Sequence, residues 1–378
     1  MKNEIKTAIL LGIIISVIVG SLSFAFSVIE MSQSPQQTLN DDLQKQTIDK
    51  SGFKKAPKLV GIADYINTTP EKLEKEIQGK VVLYDIWTYS CINCIRTLPY
   101  ITTWNEKYAD AGLLIIGIHS PEFEFEKDVK NVQMAVEKYG IKYPVVLDNE
   151  WQTWKAFENR YWPRKYIADH EGYIRYDHIG EGSYQETEKV IQQLLEERAD
   201  NLGLNIDSAV PLVELEEFQH TTLRTPELYF GYKFSAGRNQ LGSLEGFKPE
   251  NNVAYTIPDS IRQHYFYLDG TWKNLEGSMK LVSDSGRIKL SYFAKEVNIV
   301  TSNKGDLTIL LDENKIPQDY AGDDVDSDGK TYTIEPKLYN IVNSDSAESH
   351  TLEIIVNSPG FEIYTFTFGY IINHVTTG

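Results

Sequence analysis

Residues 81–100 read VVLYDIWTYSCINCIRTLPY, and this stretch decides the fold. Val81 to Trp87 form a near-continuous apolar run of strand type, the pattern of a strand covered on both faces. The only two cysteines of the chain, Cys91 and Cys94, follow it directly. From about Cys91 to Tyr108 the pattern becomes helical. The dithiol therefore sits at a strand-to-helix junction, where free backbone N–H groups and the positive end of the helix dipole favour a thiolate. Disulfide exchange needs such a thiolate, kept accessible. In this reading Cys91 at the helix start attacks, and Cys94 one turn further in resolves the mixed disulfide.

Working outward, strands and helices alternate from Ala56 to about Arg198. Thr69-Pro70 opens a helix with a cap residue and a proline in the first helical position. LLIIGIH (113–119) is a second buried strand, and DVKNVQMAVEKYG (128–140) is an amphipathic helix closed by a glycine. YPVVLD (143–148) begins a strand, a helix lies near Trp151 to Asn159, and KYIAD and YIRYDHIGEG form two strands around His170-Glu171-Gly172. A helix over Gln185 to Glu197 closes this α/β domain, which is assigned to 56–198. After about Asn205 the pattern changes to short alternating strands between Gly, Asp, Asn and Pro turns. That is the signature of an all-β sandwich over 205–378.

Ahead of both domains, Ala8 to Ile29 carry no charge, and 22 residues span roughly 33 Å as a helix, enough for a bilayer core. Residues 1–30 are read as an N-terminal transmembrane helix that anchors the chain; a cleaved signal peptide is the rival, since Ser23-Phe24-Ala25 resembles a cleavage site. Lys2 and Lys6 precede the span while Glu30, Asp41 and Asp42 follow it, which leaves the N-terminus in the cytoplasm and the bulk of the protein outside. Residues 31–55 are a polar linker. The chain carries a net charge of −17, which opposes nucleic-acid binding. Two cysteines suit neither a disulfide-stapled mini-fold nor a cysteine-rich metal domain.

The dithiol region resembles the thioredoxin superfamily, specifically its TlpA/DipZ-like thiol–disulfide oxidoreductases. The motifs that carry the likeness are WTYSCINCIRTLPYI, IGIHSPEFEFEKDVKNV, YWPRKYIADHEGYIRY and GEGSYQETE, and the β region adds PELYFGY, KLYNIV and SPGFEIYTFTFG. The resemblance implies a thioredoxin fold and a protein-disulfide oxidoreductase that needs no cofactor beyond a Cys91–Cys94 disulfide. It gives Asp85 the place of a buried acid that takes the proton of the resolving cysteine. Trp87 matches the aromatic before the active-site loop, and Pro99 the proline within the active-site helix. Trp162-Pro163 matches the cis-proline loop where substrate peptide pairs, so Trp87 and Trp162 are expected to border the substrate. The C-terminal part resembles the carbohydrate-binding-module-like sandwich of DipZ-type proteins. Many of those carry a multi-span CcdA-like electron-carrying domain; with one span here, the partners expected are exported protein disulfides and a separate membrane carrier of that type.

Other readings of the same residues stand beside this one. A zinc half-site needs two more ligands, and His119, His170 and His178 are not paired at metal spacing. Thr88 gives the Thr-x-x-Cys spacing of peroxiredoxins, but Tyr84 stands where their proline belongs. Glu122 and Glu124 in SPEFEFE fit either a contact with the active-site surface or, the reading preferred, a solvated acidic turn. Asp324, Asp326, Asp328, Gly329 and Glu335 fit the calcium template D-x-D-x-D-G-x5-E, although strands rather than helices flank it, so a calcium loop and an acidic turn both stay open. Tyr265, Tyr267 and Trp272 fit either a sugar-stacking face, in a glycan- or partner-binding envelope protein, or ordinary core packing.

Overall fold

Strand β2 (Val81–Trp87) lies in the middle of a six-stranded sheet and is buried along its whole length. It runs parallel to β3 (Leu113–His119) and antiparallel to β5 (Arg164–Ala168). With β1 (Asp64–Ile66), β4 (Val145–Leu147) and β6 (Ile174–Ile179) the order is β1-β4-β3-β2-β5-β6. The computed structural model describes residues 49–205, 210–215 and 225–369. The expected membrane anchor and most of the linker lie outside these, and among the described residues no helix is long and apolar enough to cross a membrane.

Among the described residues five helices cover the sheet: α1 (Pro70–Glu76), α2 (Ile92–Tyr108), α3 (Val129–Lys138), α4 (Gln152–Ala156) and α5 (Tyr184–Leu202). The continuous apolar run of β2 splits by strand alternation, one residue to each face in turn. Val81, Leu83 and Trp87 enter the core with Leu98, Trp104 and Ile191 of α2 and α5. Val82, Tyr84 and Ile86 enter the opposite core with Leu73 of α1 and Trp154 of α4. Asp85 falls on the first of these faces, the one that also holds Cys94. Two elements were not expected: β1, paired antiparallel with β4, and a 3-10 turn at Glu124–Lys127. Helix α5 runs beyond the expected end at Glu197 and closes at Gly203, whose φ of 65° suits a residue without a Cβ.

The C-terminal region is all β: β7 (Leu228–Tyr229), β8 (Asn252–Tyr255), β9 (Tyr265–Asn274), β10 (Met279–Leu281), β11 (Gly286–Thr301), β12 (Gly305–Leu311), β13 (Asn314–Lys315), β14 (Lys330–Thr333), β15 (Lys337–Val356) and β16 (Glu362–Phe368). The expected two-sheet sandwich is instead one hydrogen-bonded sheet, β13-β12-β15-β11-β16-β10-β9-β8, with β14 on β12 and β7 on β16. Strand β9 also packs against β11, three places away in that order. A flat sheet at about 4.8 Å per strand would hold them about 14 Å apart, so the sheet curls over its own core. Register shifts along β11 near Ala294, Val297 and Val300 supply the bends. Trp272 and Tyr267 are core residues, with Trp272 Nε1 donating to the Asp269 carbonyl at 2.9 Å. Packing, not sugar stacking, explains them.

Candidate active site

Cys91 is the N-cap of α2, with φ −81° and ψ 116°, and its Sγ accepts a hydrogen bond from the Cys94 N–H at 3.3 Å. A cap sulfur on a free helix N–H is the arrangement that favours a thiolate. Both cysteines are free thiols; Cys91 is half-buried and Cys94 is 1% exposed. Burial drives the Cys94 thiol well above its ordinary range, and the hydrogen bond and charge of Cys91 and the carboxylate of Asp85 add to this. The pair is thus unequal: one sulfur meets solvent, and the other must find an internal base before it can react.

Asp85 is 1% exposed and lies directly opposite Lys165 of β5. Burial raises its carboxyl to about 6, with Lys165 pulling the other way. Lys165 is fully buried, donates to the Gly180 carbonyl at 3.1 Å, and is pushed down to about 8 by burial, while Asp85, Cys94 and Glu181 hold it up. Burial thus pushes the two groups toward each other in pKa, leaving a raised acid and a lowered base as cross-strand neighbours. Lys165 was missed from sequence. Its signal was a cation inside the buried strand RKYIA, immediately after Trp162-Pro163.

The Trp162–Pro163 peptide is cis, and Arg164 after it pairs with Ile86 at the end of β2, which brings this loop to the sheet edge that carries the dithiol. Trp162 donates from Nε1 to the Ser120 carbonyl at 3.0 Å and lies tilted against Trp154, with ring centroids 4.3 Å apart. Trp162 keeps part of its surface exposed. Trp87 does not border the substrate. It is fully buried in the core beneath α2 and meets His119 edge-on at 5.4 Å, because an odd-numbered position on β2 points into that layer.

The loop after β3 corrects a second expectation. Glu124 is solvated, but Glu122 is packed against Tyr229 of the β domain, 2.9 Å from its hydroxyl. Glu126, which nothing in the sequence set apart, is fully buried beneath the dithiol loop, where it takes hydrogen bonds from Thr88 and Ser90. The Thr88 hydroxyl is committed to Glu126 and to His119. On the other flank Ile92, the residue after the attacking cysteine, and Ile95 pack with Tyr229, Val300, Leu338 and Tyr364 of the β domain. Arg96 forms a fork with buried Glu181, at 2.7 and 2.8 Å, and also donates to Asn93 between the cysteines at 2.6 Å.

The calcium template is not assembled. Asp324 accepts from Lys337 and from the Asn340 N–H, Asp326 closes its own turn on the N–H groups of Asp328 and Lys330, and Asp328 and Glu335 point to solvent. Strands β14 and β15 extend the chain where an EF-hand would coil it, which carries Glu335 away from the turn. Among the described residues no group of three or more His, Cys, Asp or Glu side chains is placed to hold a metal ion.

Two family models tile this architecture. One, Redoxin, matches residues 39–195, and the other, Thioredoxin like C-terminal domain, matches residues 225–369. The chain belongs to the thioredoxin superfamily. It is DipZ-like within that superfamily: it is 35% identical over 317 residues to Protein DipZ of Mycobacterium bovis, covering 83% of this chain and 43% of that protein. The chain thus spans less than half the length of the DipZ relatives it matches. It is 28% identical to Thiol-disulfide oxidoreductase YkuV of Bacillus subtilis, over 37% of this chain and 94% of that one. Among solved structures, a thioredoxin-like protein in the oxidized form aligns with a TM-score of 0.35 at 28% identity, covering 38% of this chain and 97% of that one. In this chain the helix start that carries the dithiol is partly roofed by the second domain.

Proposed function

We propose that the protein is a thiol–disulfide oxidoreductase that reduces disulfides of exported proteins, held to the outer side of the cell membrane by residues 1–30 and re-reduced by a separate membrane carrier of CcdA type. The observation that carries the chemistry is the unequal dithiol, with Cys91 at a helix N-cap and Cys94 buried over the Asp85–Lys165 pair. The similarity to DipZ and to YkuV supports the same reading. The uncharged N-terminal stretch and its flanking charges support the location.

The Cys91 thiolate, its proton given to solvent, attacks one sulfur of the substrate disulfide. A bond forms to Cys91, the substrate S–S bond breaks, and the freed substrate thiolate takes a proton from water. Asp85, ionised above about pH 6, then takes the proton of Cys94. The Cys94 thiolate attacks Cys91 Sγ, the second substrate sulfur leaves and is protonated, and a Cys91–Cys94 disulfide remains. Two electrons have moved to the substrate. Lys165 stabilises the Asp85 carboxylate before the transfer and releases that constraint as the acid becomes neutral.

Insulin reduction tests this directly. Cys91→Ser is expected to be inert, and Cys94→Ser to accumulate a mixed disulfide with substrate without turnover. Wild-type rates in both variants would sink the exchange reading. The location is tested by protease added to intact cells, which is expected to digest the folded domains; full protection would place them inside.

A further inference from the structure

We propose that Glu126 is a positioning residue of the exchange reaction, holding the turn Thr88–Ser90 so that Cys91 presents its sulfur to the Cys94 N–H. Five donors converge on this carboxylate: Oε1 accepts from the Thr88 hydroxyl at 2.5 Å, the Ser90 hydroxyl at 2.6 Å and the Ser90 N–H at 3.4 Å, and Oε2 accepts from the N–H groups of Glu122 at 2.6 Å and Phe123 at 2.9 Å. Three of these are backbone N–H groups, which can only donate. Thr88 has one hydroxyl hydrogen and gives it to Glu126. Its contact with His119 Nε2 at 3.3 Å must therefore use the hydrogen of the histidine, which burial keeps neutral, its pKa pushed down to about 3. Thr88 is thus pinned from β3 on one side and from the 3-10 turn on the other.

A fully buried carboxylate is an expensive way to hold a loop that packing alone could hold. What it provides is direction. The turn it fixes ends at Cys91, whose N–H reaches back to the Thr88 carbonyl at 3.4 Å and whose sulfur caps α2. Titratable groups on the surrounding elements are Asp85 of β2, His119 of β3, Lys165 of β5, Cys94 of α2, Glu122 and Asp128 on the Glu126 loop, Tyr89 in the turn and Tyr364 of the β domain. Of these, His119 bonds the Thr88 side chain, and Glu126 itself bonds those of Thr88 and Ser90.

The inference rests on the exchange reading above, but its test needs no substrate disulfide: alkylation of Cys91 by iodoacetamide is followed against pH in a Cys94→Ser background. In Glu126→Gln the amide nitrogen is drawn to the two hydroxyls, which must turn round to accept from it. The turn loosens, the sulfur leaves its N–H, and the alkylation profile moves to higher pH. Removal of a nearby negative charge alone would move it to lower pH. Ser90→Ala, which deletes one donor and leaves four, is expected to shift the profile in the same direction by less, and serves should Glu126→Gln not fold. With Cys94 present, disulfide reduction is expected to fall about tenfold at pH 7 and to recover as the pH is raised, as a smaller thiolate fraction requires. A profile that is unchanged or moved to lower pH, with only the melting temperature reduced, overturns the proposal.

Discussion

A single acid shows how the site trades stability for chemistry. Asp85 stands in a strand whose other residues are apolar, with Oδ1 unpaired among the described residues. Its carboxyl is raised to about 6 from an ordinary 3.8. An acid raised in the folded state favours folding only while protonated, so this contribution is complete below about pH 4 and is lost as pH rises through about 6. Asparagine imitates the protonated form. Asp85→Asn is therefore expected to be more stable than the parent at pH 7 by about 3 kcal/mol, a gain that vanishes below about pH 4. Urea unfolding at the two pH values measures it. The same variant should leave the mixed disulfide with Cys91 long-lived at neutral pH, because Cys94 has lost its base. A variant that is both less stable and fully active would remove Asp85 from the mechanism.

At the scale of elements, what could be read ahead was what has a period. The run Val81–Trp87 and the helix after Cys91 were legible because burial on both faces and helical spacing leave their mark on many residues in succession. The 3-10 turn Glu124–Lys127 was not, since four residues carry no period and E-F-E-F-E gives three acids equal standing. Only tertiary packing sends Glu122 to the β domain, Glu124 to water and Glu126 under the dithiol. The calcium template failed for the converse reason: a spacing borrowed from helix-flanked loops says nothing once strands stretch the chain. Helix α2 illustrates a tie that no local pattern announces. Arg96 in its first turns pairs with Glu181 beyond β6, with side chains 1% and 7% exposed. Removing Glu181 takes the carboxylate fork from a nearly dry guanidinium, so Glu181→Ala is expected to lose about 3 kcal/mol. Arg96→Met combined with Glu181→Leu should recover much of that loss in the same denaturation assay. A Glu181→Ala protein as stable as the parent would show that the pair is solvated in solution.

For the molecule as a whole, the contact between the two domains bears on both stability and access to the dithiol. Ile92, Ile95 and Phe123 pack against Val300, Leu338 and Tyr364, so one side of the active-site helix is closed. Beside this apolar cluster, the Tyr229 hydroxyl lies 2.9 Å from Glu122 Oε1 and 2.8 Å from Glu227 Oε2. One hydroxyl hydrogen cannot serve two acceptors. Glu122, half-buried and facing a second carboxylate, has its pKa raised well above the ordinary range, first by burial and then by Glu227 and Glu126, with Tyr229 and Arg238 opposing. A protonated Glu122 completes a chain from Glu122 through Tyr229 to Glu227. An acid raised in this way supports folding at low pH and withdraws that support as pH rises through its folded value, so the contact between the domains should weaken toward alkaline pH. Glu122→Gln keeps a hydrogen to donate at every pH. Melting of this variant, followed by circular dichroism and tryptophan fluorescence together, is expected to show one transition, with a midpoint above that of the parent at pH 8 and equal to it near pH 5. The parent should melt as one unit at pH 5 and show its two probes drifting apart first at high pH. A parent midpoint that does not change between pH 5 and 8 would mean that the Glu122 proton does not hold the domains together.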